Sequence, residues 1–222
     1  MNRKPQISIT ATHQRSNTMS IRLKLAASVV ALTLAGAAFA QSPAGKPERI
    51  RGDIVSVSGS TLTVHRRSGD NVTINMNDAS RVNAVKAVQL ADIKPGSYVG
   101  AAAMPGPDGK LIAKEVLVFP EAARGTGEGH YAWDLGANSS MTNANVDTVV
   151  AGTSGRDLKL SYKGGSNTIN VPPQVPVVTL IPATRAELTA GKKVFVVATP
   201  AKGGAYDGQF VVVEKDGVVP PM

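Results

Sequence analysis

No cysteine occurs in the 222 residues, which excludes a disulfide framework, a thiolate metal site and a lipidated cysteine behind a leader segment. Aromatic residues are sparse, with one Trp, four Tyr and four Phe. Histidine is rarer still, at three. A nucleophile, a base and an orienting group that could be argued together therefore have few residues to come from. Long apolar runs are missing except at residues 25–40, LAASVVALTLAGAAFA. That run is shorter than the roughly 20 residues a spanning helix needs. The first forty residues also hold no acid, only Arg3, Lys4, Arg15, Arg22 and Lys24.

What is present at the N-terminus reads as an address. Arg22 and Lys24 precede the apolar run and Ala38-Phe39-Ala40 closes it, giving a charged region, a hydrophobic region and an A-x-A cleavage pattern. Residues 1–40 are expected to be a signal peptide cleaved after Ala40, with Met19 ahead of Ser-Ile-Arg-Leu-Lys fitting the true start. The expected product is a periplasmic protein, neither lipidated nor membrane-spanning. Removing the five basic residues lowers the formal charge from +8 to +3. The remaining Lys and Arg are scattered singly, which argues against a nucleic-acid partner.

The rest of the chain repeats itself. GDIVSVSGSTLTVHRRSGDNVTINM aligns with ANVDTVVAGTSGRDLKLSYKGGSNTINV, the second being longer at its first turn. LADIKPGSYVGAAAMP aligns with RAELTAGKKVFVVATP, and a single offset of 95 carries Ala91 to Ala186, Gly96 to Gly191 and Pro105 to Pro200. Each copy is patterned as β. Leu62 and Val64, then Val72, Ile74 and Met76, alternate with polar neighbours, as do Leu158, Leu160 and Tyr162. Gly69 and Gly164 sit between such runs as turn residues. One helical turn follows in each copy, and then strands at 98–104 and 111–119, or 193–198 and 209–214. The expectation is an all-β chain of two tandem small antiparallel barrels, OB-like or SH3-like. The first barrel would span 41–119 and the second 143–222. A Gly-rich aromatic linker, 120–142, would lie over or between them.

Quoted together, Ile-x-x-Val, Leu-Thr-Val, LADIKPGSYVG and PDGxxxAxEVxVFPE, with RGTGEGH, Trp133-Asp134 and MTNA between the repeats, carry a resemblance. The chain resembles a family of exported proteobacterial proteins built from small β-barrel domains of unknown function. The resemblance implies fold and location. Relatives are sometimes labelled metal ABC transporter permeases, which would imply at most a soluble accessory role, because a permease needs several apolar spans.

The candidate site is the linker. Arg124, Glu128, His130, Tyr131, Trp133 and Asp134 cluster where neither helix nor strand is favoured, and form the expected ligand-binding or interface set. The leading expectation is a non-catalytic binding or interaction module for an unknown protein or small ligand of the cell envelope, with no cofactor. The alternative is a copper- or zinc-handling accessory that uses His130, Met141, Glu128 and Asp134, since imidazole and thioether suit copper. A third reading is an enzyme acting on envelope polymers. It lacks a recognisable residue set, and carboxylates such as Asp53 and Glu115 form no known spacing. The structural alternative makes Tyr131 and Trp133 hydrophobic plugs and His130 a tether. The glycines at 125, 127 and 129 lack the Lys-Ser/Thr ending of a phosphate loop. Arg51-Gly52-Asp53 lies inside an expected strand, which removes it from adhesion chemistry. His65 falls on a wet strand face beside Arg66 and Arg67.

Overall fold

Alternation along the chain decides which side chains turn inward, and a computed structural model, describing residues 45–152 and 155–221, shows where those inward faces meet. The expected signal segment lies outside the described residues. Leu62, Val64, Val72, Ile74 and Met76 are all buried, as are Leu158 and Leu160. The strands are β1 (Glu48–Ser58), β2 (Thr61–Arg66), β3 (Asn71–Ala87), β4 (Tyr98–Pro105), β5 (Leu111–Val118) and β6 (Gly129–Ala132). They continue as β7 (Ser140–Gly152), β8 (Gly155–Tyr162), β9 (Gly165–Asn170), β10 (Val177–Pro182), β11 (Lys193–Pro200) and β12 (Tyr206–Val213). β9 and β10 correspond to the single long β3. Pro172, Pro173 and Pro176 lie between them, where missing N–H donors interrupt a ladder.

The chain is all-β, and its strands close two five-stranded barrels, but neither repeat closes its own. β1, β2 and β3 of the first repeat are completed by β11 and β12 of the second, in the order β1-β2-β3-β12-β11 and back to β1. β7, β8 and β9 of the second repeat are completed by β4 and β5 of the first. The expected division at 41–119 and 143–222 is thus corrected: the repeats exchange their last hairpins. The two exchanges match residue for residue. Leu111 pairs with Ile169 and Val118 with Thr179, while Tyr206 pairs with Ile74 and Val213 with Ala84, each shifted by the repeat offset of 95. Both closing seams, β3–β12 and β5–β9, are parallel, a second departure from an all-antiparallel expectation. That strand order, with its parallel seam, is the OB arrangement rather than the SH3-like one.

The exchange follows from the path out of β3. Its end, Asn83–Ala87, runs antiparallel to Val178–Pro182 of β10, so each chain segment is carried across to the opposite barrel before turning. One-turn helices at Leu90–Asp92 and Arg185–Glu187 then make the turn. Asp92 and Glu187 reach back to the backbone N–H of Gln89 and Thr184. Leu90 and Ile93 enter the core of the second barrel and Leu188 that of the first, so each helical turn travels with its hairpin. A third apolar cluster, Val85, Leu117, Val178, Phe195 and Val212, is built from the outer strand faces.

Among the described glycines, Gly52 has the least room, where β1 pairs with β2. A Cβ on Gly52 would stand 2.0 Å from the His65 carbonyl oxygen, and backbone cannot yield as a side chain can. Gly52→Ala is expected to destabilise by about 3 kcal/mol, read as a fall in the urea midpoint with an unchanged slope.

Candidate functional site

The linker is a strap with its own structure. After a helical turn at Glu121–Ala123, β6 pairs with the start of β7 in the register His130 with Thr142 and Tyr131 with Met141. Residues 140–142, expected as linker, are already strand. Arg124 fixes the start of the strap, donating to Glu121, to Asn145 Oδ1 at 2.8 Å and to the Gly96 carbonyl at 2.9 Å. Glu128 accepts from the Lys163 backbone N–H at 2.9 Å. At the other end, Asp134 receives two hydrogen bonds from Arg51 of β1, at 2.9 and 3.0 Å. The strap is therefore stitched to the second barrel along β6 and pinned to the first through Asp134. Burial raises the Asp134 pKa, but the Arg51 hydrogen bonds and the charges of Arg51 and Arg49 hold it below the usual carboxylate value.

Beneath the strap lies a cavity of about 860 Å³. Rings of Phe119, Tyr131, Trp133, Phe195 and Phe210 line it, with Leu117, Leu180 and Met141 among the aliphatic walls. Its volume falls in the range that small-ligand pockets occupy, roughly 300–1,000 Å³. Two arginines, Arg49 and Arg81, contribute to the lining, and no carboxylate does. Arg49 stacks on Trp133, its guanidinium carbon 3.8 Å from the ring centroid. Trp133 and Tyr131 meet edge to face at 6.0 Å.

Two polar atoms in this lining are buried without a partner, Trp133 Nε1 and Asn143 Oδ1. Asn143 spends its amide N–H groups on the Thr126 carbonyl and the Tyr131 hydroxyl, both at 3.1 Å. Gly100 makes room for it, since a Cβ there would lie 2.6 Å from Asn143 Oδ1. Orphaned buried polar atoms are uncommon and call for an explanation.

Of the candidate residues, Tyr131, Trp133 and Met141 line the cavity, and Arg124, Glu128, His130 and Asp134 do not. His130 points to the opposite face of the β6–β7 ribbon, because neighbouring strand residues alternate. There its Nδ1 accepts from Asn167 at 3.0 Å, lies 2.8 Å from Thr142 Oγ1, and the ring stacks on Tyr162. Met141 lines the cavity on the side of Tyr131. His130 and Met141 therefore do not converge, while Glu128 and Asp134 are bonded elsewhere. Among the described residues no group of three or more His, Cys, Asp or Glu side chains is gathered for a metal. The copper or zinc ligand set is corrected accordingly.

Phe195, Phe210, Arg49, Arg81 and Asn143 were not in the expected site. Phe195 and Phe210 stand on the outer strand faces of the first barrel, in the cluster with Leu117 and Val178, and line the cavity from there. Glu115 was noted only as an unplaced carboxylate. It is 2 % exposed and its Oε1 has no partner. Burial pushes its pKa up to about 7, against the opposing pull of Arg51 and Arg67 and with a smaller push from Asp134. By the repeat offset Glu115 corresponds to Phe210, and each sits beside the bulge of its hairpin. A carboxylate is thus buried where the other repeat carries a ring.

Fold and site together define an all-β protein of two hairpin-exchanged OB-like barrels enclosing an aromatic cavity. Among the described residues no helix is long and apolar enough to cross a membrane. No family model, curated protein or solved structure matches the chain.

Proposed function

We propose that the protein is a non-catalytic binding module for a small amphipathic anion, working in the periplasm to which its leader would deliver it. The observation that carries this reading is the composition of the cavity: five aromatic rings, two arginines and no carboxylate. An apolar body fits against the rings, and an anionic end meets Arg49 or Arg81 in a charge-assisted contact. Arg81 supports the same reading, since it is exposed and its side chain makes no hydrogen bond or ion pair among the described residues.

The test uses Trp133, the single tryptophan, as reporter. Decanoate and anilinonaphthalene sulfonate titrated into the mature chain should shift its emission and saturate near one equivalent. Decanol, with the same body and no charge, should bind about tenfold more weakly, as loss of one charged contact implies. Calorimetry on Phe210→Ala should show at least a tenfold loss, in keeping with about 2 kcal/mol for a truncated aromatic anchor. A response that never saturates, or one indifferent to Phe210→Ala, rejects this function.

A further inference from the structure

A second recess opens beside the cavity, on the far side of Arg49. It measures about 360 Å³ and is lined by Arg49, Arg51, Arg66, Arg67 and Ser68, with Asp134 of the strap the one acid in its wall. Arg49 and Arg51 leave β1 on its outer face, while Arg66 ends β2 and Arg67 and Ser68 form the turn into β3. A backbone bond from Arg67 N–H to the Arg51 carbonyl, 3.1 Å, holds that turn against β1. Four arginines thereby line one recess from two paired strands.

Like charges crowded in this way cost free energy unless an anion joins them, and the chain provides only part of one. Asp134 takes both of its hydrogen bonds from Arg51 and approaches Arg49 no closer than 3.9 Å. Arg66 Nε stands 3.6 Å from Asp70 and is buried with no hydrogen-bond acceptor. Arg67 makes no side-chain hydrogen bond or ion pair among the described residues. The Arg66 guanidinium carbon lies 4.8 Å from the Tyr206 ring centroid, so the donors that remain unspent are those of Arg67. The planar fork of arginine matches tetrahedral and planar oxyanions, which is why such clusters recognise phosphate and sulfate.

We infer that this recess is a binding site for a small phosphate or sulfate group, and that Asp134 is the chain's own carboxylate standing where part of that anion would sit. An oxyanion entering from the Arg67 side competes with Asp134 for Arg51. Because Asp134 follows Trp133 directly, the competition also loosens the strap's hold on the first barrel. This site is separate from the cavity and shares only Arg49 with it.

The experiment is calorimetry and thermal unfolding of the mature protein with sulfate, inorganic phosphate and glycerol phosphate, each against chloride at matched ionic strength, since screening alone changes exposed charge contacts. Sulfate should bind saturably. Asp134→Asn, which removes the internal competitor, should tighten it about tenfold, and Arg67→Ala should weaken it about tenfold, one charge-assisted contact each. Arg67 is exposed, so its loss leaves the fold intact, and circular dichroism checks this for Asp134→Asn. Phe210→Ala should leave sulfate binding unchanged, which separates this site from the cavity. Co-sedimentation with phosphatidylglycerol vesicles assigns the phosphate to a headgroup, and sulfate binding without co-sedimentation assigns it to a soluble ester. Sulfate behaving as chloride does, or an affinity untouched by Asp134→Asn, overturns the inference.

Discussion

Cutting the strap between Gly125 and Gly129 is expected to leave the protein as one particle that unfolds in one transition. The reason lies in the allocation of strands. Of the thirteen strand pairings among the described residues, six join one repeat to the other: β1–β11, β3–β12, β3–β10, β4–β7, β5–β9 and β5–β10. Two pairings of each barrel are in that set, β1–β11 and β3–β12 in the first and β4–β7 and β5–β9 in the second. Separating the halves would therefore open each barrel at two places, expose unpaired strand edges, and uncover cores built around Ile50, Val196 and Val211, or Val99, Ala144 and Leu160. Units of this size bury too little surface to survive that loss unaided. The two halves should stay bound below about 1 nM, as obligate interfaces of this kind do. Size-exclusion chromatography of the nicked protein at micromolar concentration reads the outcome directly. Elution as two half-sized species would mean that each repeat closes on itself, contrary to the pairing described.

Much of this architecture is visible in the sequence, and the invisible part has a physical cause. Alternation at Leu62, Val64, Val72 and Ile74 marks inward faces because a strand turns successive side chains to opposite sides, and these residues are buried as expected. The turns are legible through glycine: Gly69 and Gly164 adopt φ of 98° and 100°, where other residues are strained. The hairpin exchange is not legible. Since the repeats are alike, β4–β5 fits either barrel by pattern, and only the antiparallel meeting of Asn83–Ala87 with Val178–Pro182 sends it across.

The cavity was hidden for the same reason. Leu117, Phe195 and Phe210 face outward from their barrels, and nothing in a period-two pattern tells an outer face covered by a neighbour from a core face. One signal was available: Tyr98–Ala103 and Val194–Val196 are apolar at consecutive positions, the mark of strands covered on both sides. Tyr131 and Trp133 stand out in the sequence against glycine, and both line the cavity. The same crowding misled the metal reading. Proximity along a strand placed His130 beside Tyr131 and Met141 beside Thr142, yet alternation sends His130 and Met141 to opposite faces.

Glu115→Gln is expected to stabilise the protein at pH 8 and to flatten its stability between pH 4.5 and 7. The buried carboxyl has a pKa of about 7, raised by burial from 4.5. Between those values the unfolded chain has released this proton and the folded chain still holds it. Stability therefore falls as pH rises through the interval, by an amount on the order of 3 kcal/mol. Below pH 4.5 both states are protonated and the term vanishes, whereas above pH 7 the full penalty is present. Gln keeps the shape and never ionises, so it removes the penalty. Its amide must still be buried where Oε1 already lacks a partner, which offsets about 1 kcal/mol. A net gain of about 2 kcal/mol at pH 8 follows from the difference of those two terms. At pH 4.5, where the ionisation penalty is absent, the variant should be less stable by about 1 kcal/mol, the amide term alone. Urea unfolding of both across this range decides the matter, since parallel pH profiles would mean that Arg51 and Arg67 already neutralise the carboxylate. The Glu115 carboxylate is coupled to Arg51 and Arg67, two of the arginines of the oxyanion recess, so the same variant also changes the charge that those two groups face.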